Sequence, residues 1–207
     1  MTVAASRSYR IAKRSLDVGG SLLLLIGLTP LFCVVAAWIW WDDGRPLFFT
    51  QTRAGRDGHP FRILKFRTLS VPPSDPERAA AHATRSGTRL RRWGIDELPQ
   101  LWNVLRGEMS LVGPRPPLLD DLHQYGPHEH TRLQVRPGLT GWAQIHGRNA
   151  LPWPDRIEHD VWYVHNRSFL LDLRILARTP LCLVRGRGVY GPGGKNPSFS
   201  SVSSDHA

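Results

Sequence analysis

Two acids side by side, Asp96 and Glu97, are the residues of this sequence best placed to do chemistry. They lie in Gly94-Ile95-Asp96-Glu97-Leu98-Pro99-Gln100-Leu101-Trp102-Asn103-Val104-Leu105. Adjacent helical side chains point about 100° apart, so one carboxylate could attack a substrate while the other holds a metal. Pro99 suits a first helical turn, where its missing N–H has no intrahelical partner. Leu98, Leu101, Trp102 and Leu105 follow at i, i+3, i+4 and i+7 as one apolar stripe. This predicts an amphipathic helix from Asp96 to Arg106, capped by Gly107. The acids then sit at a helix N-terminus, which favours phosphate. Read without their neighbours, they do no more than stabilise a helix start.

The neighbours are cations. Arg85, Arg89, Arg91 and Arg92 lead straight into the pair. Segment 47–69 reads as two strands around Gly55-Arg56-Asp57-Gly58, a hairpin turn signal. On its second strand Lys65 and Arg67 share a face, and Gln51 and Arg53 lie on the partner strand. Such a face could hold a diphosphate or simply be solvated. Pro114-Arg115-Pro116 is a stiff turn that aims one arginine. Arg136 and Arg148 bracket a glycine-dense stretch where backbone could approach a ligand. Neither a P-loop nor a dinucleotide fingerprint is present. His123, His128 and His130 lack metal-ligand spacing.

Around this candidate site, the chain of 207 residues has room for one domain with a core. Its formal charge of +10 points to an anionic partner: nucleic acid, an anionic membrane face or a phosphorylated substrate. Eight Trp suit a membrane–water interface. Cys33 and Cys182 lie in apolar surroundings and read as small core residues rather than a disulfide or metal pair. Val18 to Trp41 carries no charge and as a helix is roughly 36 Å long, enough to cross a hydrocarbon core. Arg7, Arg10, Lys13 and Arg14 precede it and many basic residues follow, so both flanks read as cytoplasmic. Thr29-Pro30 at its middle predicts a kink, with the Thr29 hydroxyl satisfying a freed backbone group. The expectation is a re-entrant helix that bends and returns to one face; an ordinary kinked span is the alternative.

The remaining segments read as a mobile loop at 71–88 with a short helix at 75–82, and helices at 118–125, 153–166 and 169–184. The last could lie on a membrane or pack in the core. The organisation expected is residues 1–42 as basic N-terminus and membrane helix, 43–185 as the catalytic domain and 186–207 as a disordered tail.

These motifs, taken together, resemble those of the small monotopic phosphoglycosyl transferases, bacterial sugar transferases that act on polyprenyl phosphate. The resemblance rests on Lys13-Arg14-x-x-Asp17, Phe49-x-Gln51-x-Arg53-x-Gly55, Lys65-Phe66-Arg67-Thr68 and Asp96-Glu97-Leu98-Pro99-Gln100-Leu101-x-Asn103-Val104. It continues through Leu111-Val112-Gly113-Pro114-Arg115-Pro116, Arg136-Pro137-Gly138-Leu139-Thr140-Gly141-Trp142-Ala143-Gln144 and Asp160-x-x-Tyr163-Val164. One departure is Gly94-Ile95, where relatives often carry Ser-Leu.

The resemblance implies an α/β, mostly helical fold: a re-entrant membrane helix, then a compact catalytic domain with a β-hairpin and interfacial amphipathic helices. It places the protein on the cytoplasmic face of the bacterial inner membrane. It implies a UDP-sugar and polyprenyl (undecaprenyl) phosphate as partners and Mg²⁺ as cofactor. Asp96 would be the nucleophile that takes the sugar-phosphate as UMP leaves, and Glu97 the metal ligand. Lys65, Arg67, Arg91, Arg115, Arg136 and Arg148 would bind phosphate, with Thr29 and Pro30 at the membrane kink. Two other classes compete. A membrane-anchored nucleic-acid-binding module would share the charge, but the arginines here surround carboxylates that nucleic acid would repel, so no nucleic-acid partner is expected. A nucleotide-sugar hydrolase could use the same pair to activate water. The residues leave the sugar and the oligomeric state open.

Overall fold

The computed structural model describes residues 6–69 and 84–185. Most of the loop expected at 71–88, its short helix and the tail at 186–207 lie outside the described residues. Helix α1 (Arg7–Gly27) starts at Ser6, whose hydroxyl accepts the Tyr9 N–H at 3.2 Å. After Leu28 the chain continues as α2 (Thr29–Asp43), bent 59° from α1. Pro30 occupies the first turn of α2, where no N–H is missed, and the Thr29 hydroxyl donates to the Leu25 carbonyl at 2.8 Å. No single described helix is long and apolar enough to cross a membrane; the bent pair meets that test together.

The two halves of α1 do different work. The first is tied to the domain by side chains. Lys13 donates to the Asp172 carboxylate and the Val112 carbonyl, both at 2.9 Å. Arg14 forks the Val104 and Leu105 carbonyls at 2.7 and 2.8 Å. Asp17 accepts from the Ser110 hydroxyl and the Leu111 N–H at 2.9 Å each. The second half leaves Leu22, Leu23, Leu24 and Ile26 exposed. Helix α2 buries only Val35 and Ile39, against Phe66 and Leu90, and exposes Trp40 and Trp41. Because that buried stripe is so narrow, Cys33 is exposed rather than part of the core as expected.

Strands β1 (Phe48–Ala54) and β2 (Pro60–Phe66) form the expected antiparallel hairpin, with Phe48 opposite Phe66 and Ala54 opposite Pro60. Asp57 at φ 55° and Gly58 at φ 78° make its turn. Along β2, Phe61 and Ile63 alternate onto the face that packs on α4 (Leu101–Arg106), and Lys65 follows on that side. The strand ends at Phe66, so the alternation stops and Arg67 does not continue the Lys65 face. Its guanidinium turns to the end of α2, donating to the Asp43 and Gly44 carbonyls at 2.7 and 3.0 Å and pairing with the Asp43 carboxylate.

A second sheet was not expected. Strands β3 (Ser110–Val112) and β4 (Gly138–Thr140) pair in parallel, each only three residues long. They bury the start of the glycine-dense stretch, which therefore brings backbone to backbone rather than to a ligand. A Cβ on Gly138 would lie 2.1 Å from the Gly113 nitrogen. Segment 118–125 forms a 3-10 turn at Asp120–Gln124 in place of the expected helix. The remaining helices are α3 (Arg85–Trp93), α5 (Pro127–His130), α6 (Trp142–His146), α7 (Trp153–Asn166) and α8 (Phe169–Arg185). The result is a mostly helical chain with two small sheets. Its main core gathers Phe61, Ile63, Leu101, Val104, Met109, Leu111, Val112, Tyr163 and Ile175. Helix α8 buries Asp172 and Ile175 and exposes Leu170, Leu181 and Val184, so it is amphipathic.

Candidate active site

Helix α3 stops at Gly94, whose φ of 68° is a left-handed cap that glycine adopts without strain. The chain enters a 3-10 turn at Ile95–Gln100, and the α-helix begins only at Leu101. The sequence reading had a single α-helix from Asp96. A 3-10 turn advances three residues per turn, so the apolar stripe shifts phase. Leu101, Asn103 and Val104 point inward while Trp102 is 52% exposed. So short a turn supplies little helix dipole, and the positive potential at the acids comes from side chains instead.

Glu97 is gripped by two of them. Lys65 Nζ donates to Oε1 at 2.7 Å. The Arg115 fork donates to Oε1 at 2.7 Å and to Oε2 at 3.2 Å. Burial pushes the Glu97 carboxyl up, but Arg115 and Lys65, through charge and hydrogen bonds, hold it well below the usual carboxylate range. Asp96 stands in contrast. It is 8% exposed and has no hydrogen-bonded partner among the described residues. Burial, then the Glu97 charge, push its carboxyl up to about 6, against the pull of Lys65, Arg91 and Arg115. Two neighbouring acids driven apart in this way can divide labour: one fixed and always charged, the other free and poised near neutrality.

Arg91 comes from the last turn of α3 and donates from Nε to the Thr68 hydroxyl at 2.8 Å. Arg148 has φ 54°, and its Nη1 is buried with no hydrogen-bond partner among the described residues. Burial pushes that guanidinium down, while the Glu97 and Asp96 charges push it back up. Lys65, Arg91, Arg115 and Arg148 therefore converge on the acids. Arg67 and Arg136 do not join them. Arg67 is held by the end of α2. Arg136 is exposed, and the charges acting on it come from Arg14, Arg56 and Asp17.

The sequence reading gave no role to Arg132, which is almost fully buried. It donates to the Asp160 carboxylate at 2.6 Å, the Tyr125 hydroxyl at 2.8 Å and the Arg115 carbonyl at 3.0 Å. It thus pins the backbone of the residue that forks Glu97. No spacing pattern in the sequence links Arg132 with Asp160; only the fold brings them together.

Among the described residues no group of three or more His, Cys, Asp or Glu gathers to cage a metal. A Mg²⁺ carried with substrate phosphates needs less, one or two carboxylates and room for water. Among the described residues Asp96 has no hydrogen-bonded partner and Glu97 Oε2 accepts a single donor, so this pair fits that requirement.

Fold and site together set a buried acid pair, ringed by cations, beside a bent apolar helix pair. The bacterial sugar transferase family model matches residues 8–186, and the chain belongs to that family, whose members are membrane-associated. It is 42% identical to an uncharacterised sugar transferase, EpsL, of Bacillus subtilis, over 86% of this chain and 90% of that one. It is 40% identical to the exopolysaccharide production protein ExoY of Sinorhizobium fredii, over 85% of this chain and 88% of that one. A third relative is the undecaprenyl-phosphate galactose phosphotransferase of Salmonella typhimurium, 35% identical over 90% of this chain but only 43% of its own length.

Proposed function

We propose that this protein transfers a sugar-1-phosphate from a UDP-sugar to polyprenyl phosphate, in two steps through a phosphosugar carried on Asp96. The observation that carries the reading is the split between the acids: Glu97 fixed by Lys65 and Arg115, Asp96 without a hydrogen-bonded partner among the described residues. In the first step an Asp96 carboxylate oxygen attacks the β-phosphorus, and the bond from that phosphorus to the bridging oxygen breaks. UMP leaves with the bridging oxygen. In the second step an oxygen of polyprenyl phosphate attacks the same phosphorus, the bond to Asp96 breaks, and the carboxylate is restored.

Glu97, with Asp96 at its side, would hold Mg²⁺, which when bound neutralises diphosphate charge. Arg115, Arg91, Arg148 and Lys65 would bind the phosphate oxygens and stabilise charge on the leaving UMP. The undecaprenyl-phosphate galactose phosphotransferase of Salmonella typhimurium supports the lipid acceptor, since its name states that substrate. The bend at Leu28–Pro30, together with the domain contacts at both ends of the helix pair, supports a re-entrant anchor, and the basic residues on both flanks favour the cytoplasmic face of the inner membrane. Tags at the two termini should both be protease-accessible from the cytoplasm alone; an external C-terminus would end that topology.

The activity test is UMP release from a panel of UDP-sugars, with and without polyprenyl phosphate. Multiple turnover that needs the lipid is the expected result. Sustained release of free sugar-phosphate without lipid would instead make the protein a hydrolase.

A further inference from the structure

Lys65 reaches Glu97 from a different element, and something must hold strand and acid turn in register. Asn103 does this directly. It is 3% exposed on α4, facing the outer edge of β2. Its Oδ1 accepts the Leu64 N–H at 3.1 Å and its Nδ2 donates to the Arg62 carbonyl at 2.8 Å. The second Nδ2 hydrogen goes to Glu108 Oε2 at 2.7 Å. One amide thus stands in for a strand partner on either side of Ile63. The residue after Leu64 is Lys65, whose Nζ meets Glu97 Oε1 at 2.7 Å. Both donors of the amide are used, so its orientation is fixed as well as its place. An aspartate there would keep the acceptor for Leu64 but lose both donors and face Glu108 with like charge.

We infer that Asn103 is a positioning residue: its side-chain amide splints β2 to the catalytic turn and thereby sets the Lys65 ammonium against Glu97. The inference rests on the transferase reading. It is distinct from a packing role because its effect runs through one named side chain. If Asn103 acts through Lys65, removing Lys65 removes most of what Asn103 contributes.

The test is a double-mutant cycle on the full-length protein in detergent or nanodiscs, with Asn103→Ala, Lys65→Ala and the double variant. Asn103→Asp, which keeps the Leu64 bond, serves as a second single variant should Asn103→Ala lose the fold. The single Asn103 variants are expected to lower kcat by roughly 10- to 100-fold. The loss should fall on kcat, with KM for the nucleotide-sugar kept within about 3-fold. In the Lys65→Ala background the same changes should cost no more than about 3-fold. Equal losses in both backgrounds, or a loss that falls on KM rather than kcat, would overturn the positioning role. A wild-type protein inactive on every nucleotide-sugar would instead remove the transferase reading, so the two failures are separable.

Discussion

In the proposed mechanism Asp96 attacks only as the carboxylate, so the conditions that ionise it would set the rate. Burial and the Glu97 charge raise its carboxyl to about 6. A raised value means that the proton is held below about 6, so kcat/KM should climb with pH through that region. Below it the rate should fall about tenfold per pH unit. Arg91 favours the charged form. Removing that guanidinium in Arg91→Ala should therefore move the limb to higher pH. A flat profile down to pH 5, or a limb that moves down in Arg91→Ala, would contradict this assignment. Glu97 is different in kind: Arg115 and Lys65 hold its carboxyl well below the usual range, which suits the metal-holding role proposed for it.

At the scale of elements, cations that look alike in sequence separate. Lys65 and Arg67 differ because β2 ends between them, and a strand end is invisible to an alternation count. Arg67 is buried against the last carbonyls of α2, where a cation complements the helix end. Arg67→Ala should lower stability by about 2–4 kcal/mol, through lost charged hydrogen bonds and an exposed helix end. The folded fraction should keep kcat within a few-fold. Arg115→Ala should do the reverse, losing turnover with little change in Tm. Thermal melts paired with active-site titration separate the two; loss of activity in folded Arg67→Ala would return that residue to the site.

The hairpin was legible in the sequence because Asp57-Gly58 dictates a local turn. The acids and the Pro-Arg-Pro turn were legible because rigid or charged residues cluster locally. Strands β3 and β4 were not, since three-residue parallel strands depend on a partner far along the chain. Nor was the Arg132–Asp160 pair, which exists only when α7 closes on the Arg115 loop. The phase of α4 was lost because a 3-10 turn precedes it.

Across the whole molecule the apolar helix pair and the acid site form one body. Lys13, Arg14 and Asp17 weld α1 to β3, α8 and the C-terminal end of α4. Val35 and Ile39 dock α2 beside Phe66 and Leu90, next to the strand that carries Lys65. A chemistry split in two suits this layout, since a water-borne donor and a lipid-borne acceptor need never occupy the site together. The most direct measurement is to incubate the protein with a UDP-sugar labelled at the β-phosphate, without lipid, and map the label by peptide mass. One phosphosugar on Asp96, matched by one UMP and discharged by added polyprenyl phosphate, is the expected result. An unlabelled wild type that still turns over by sequential kinetics, or label retained in Asp96→Asn, would contradict the covalent transfer.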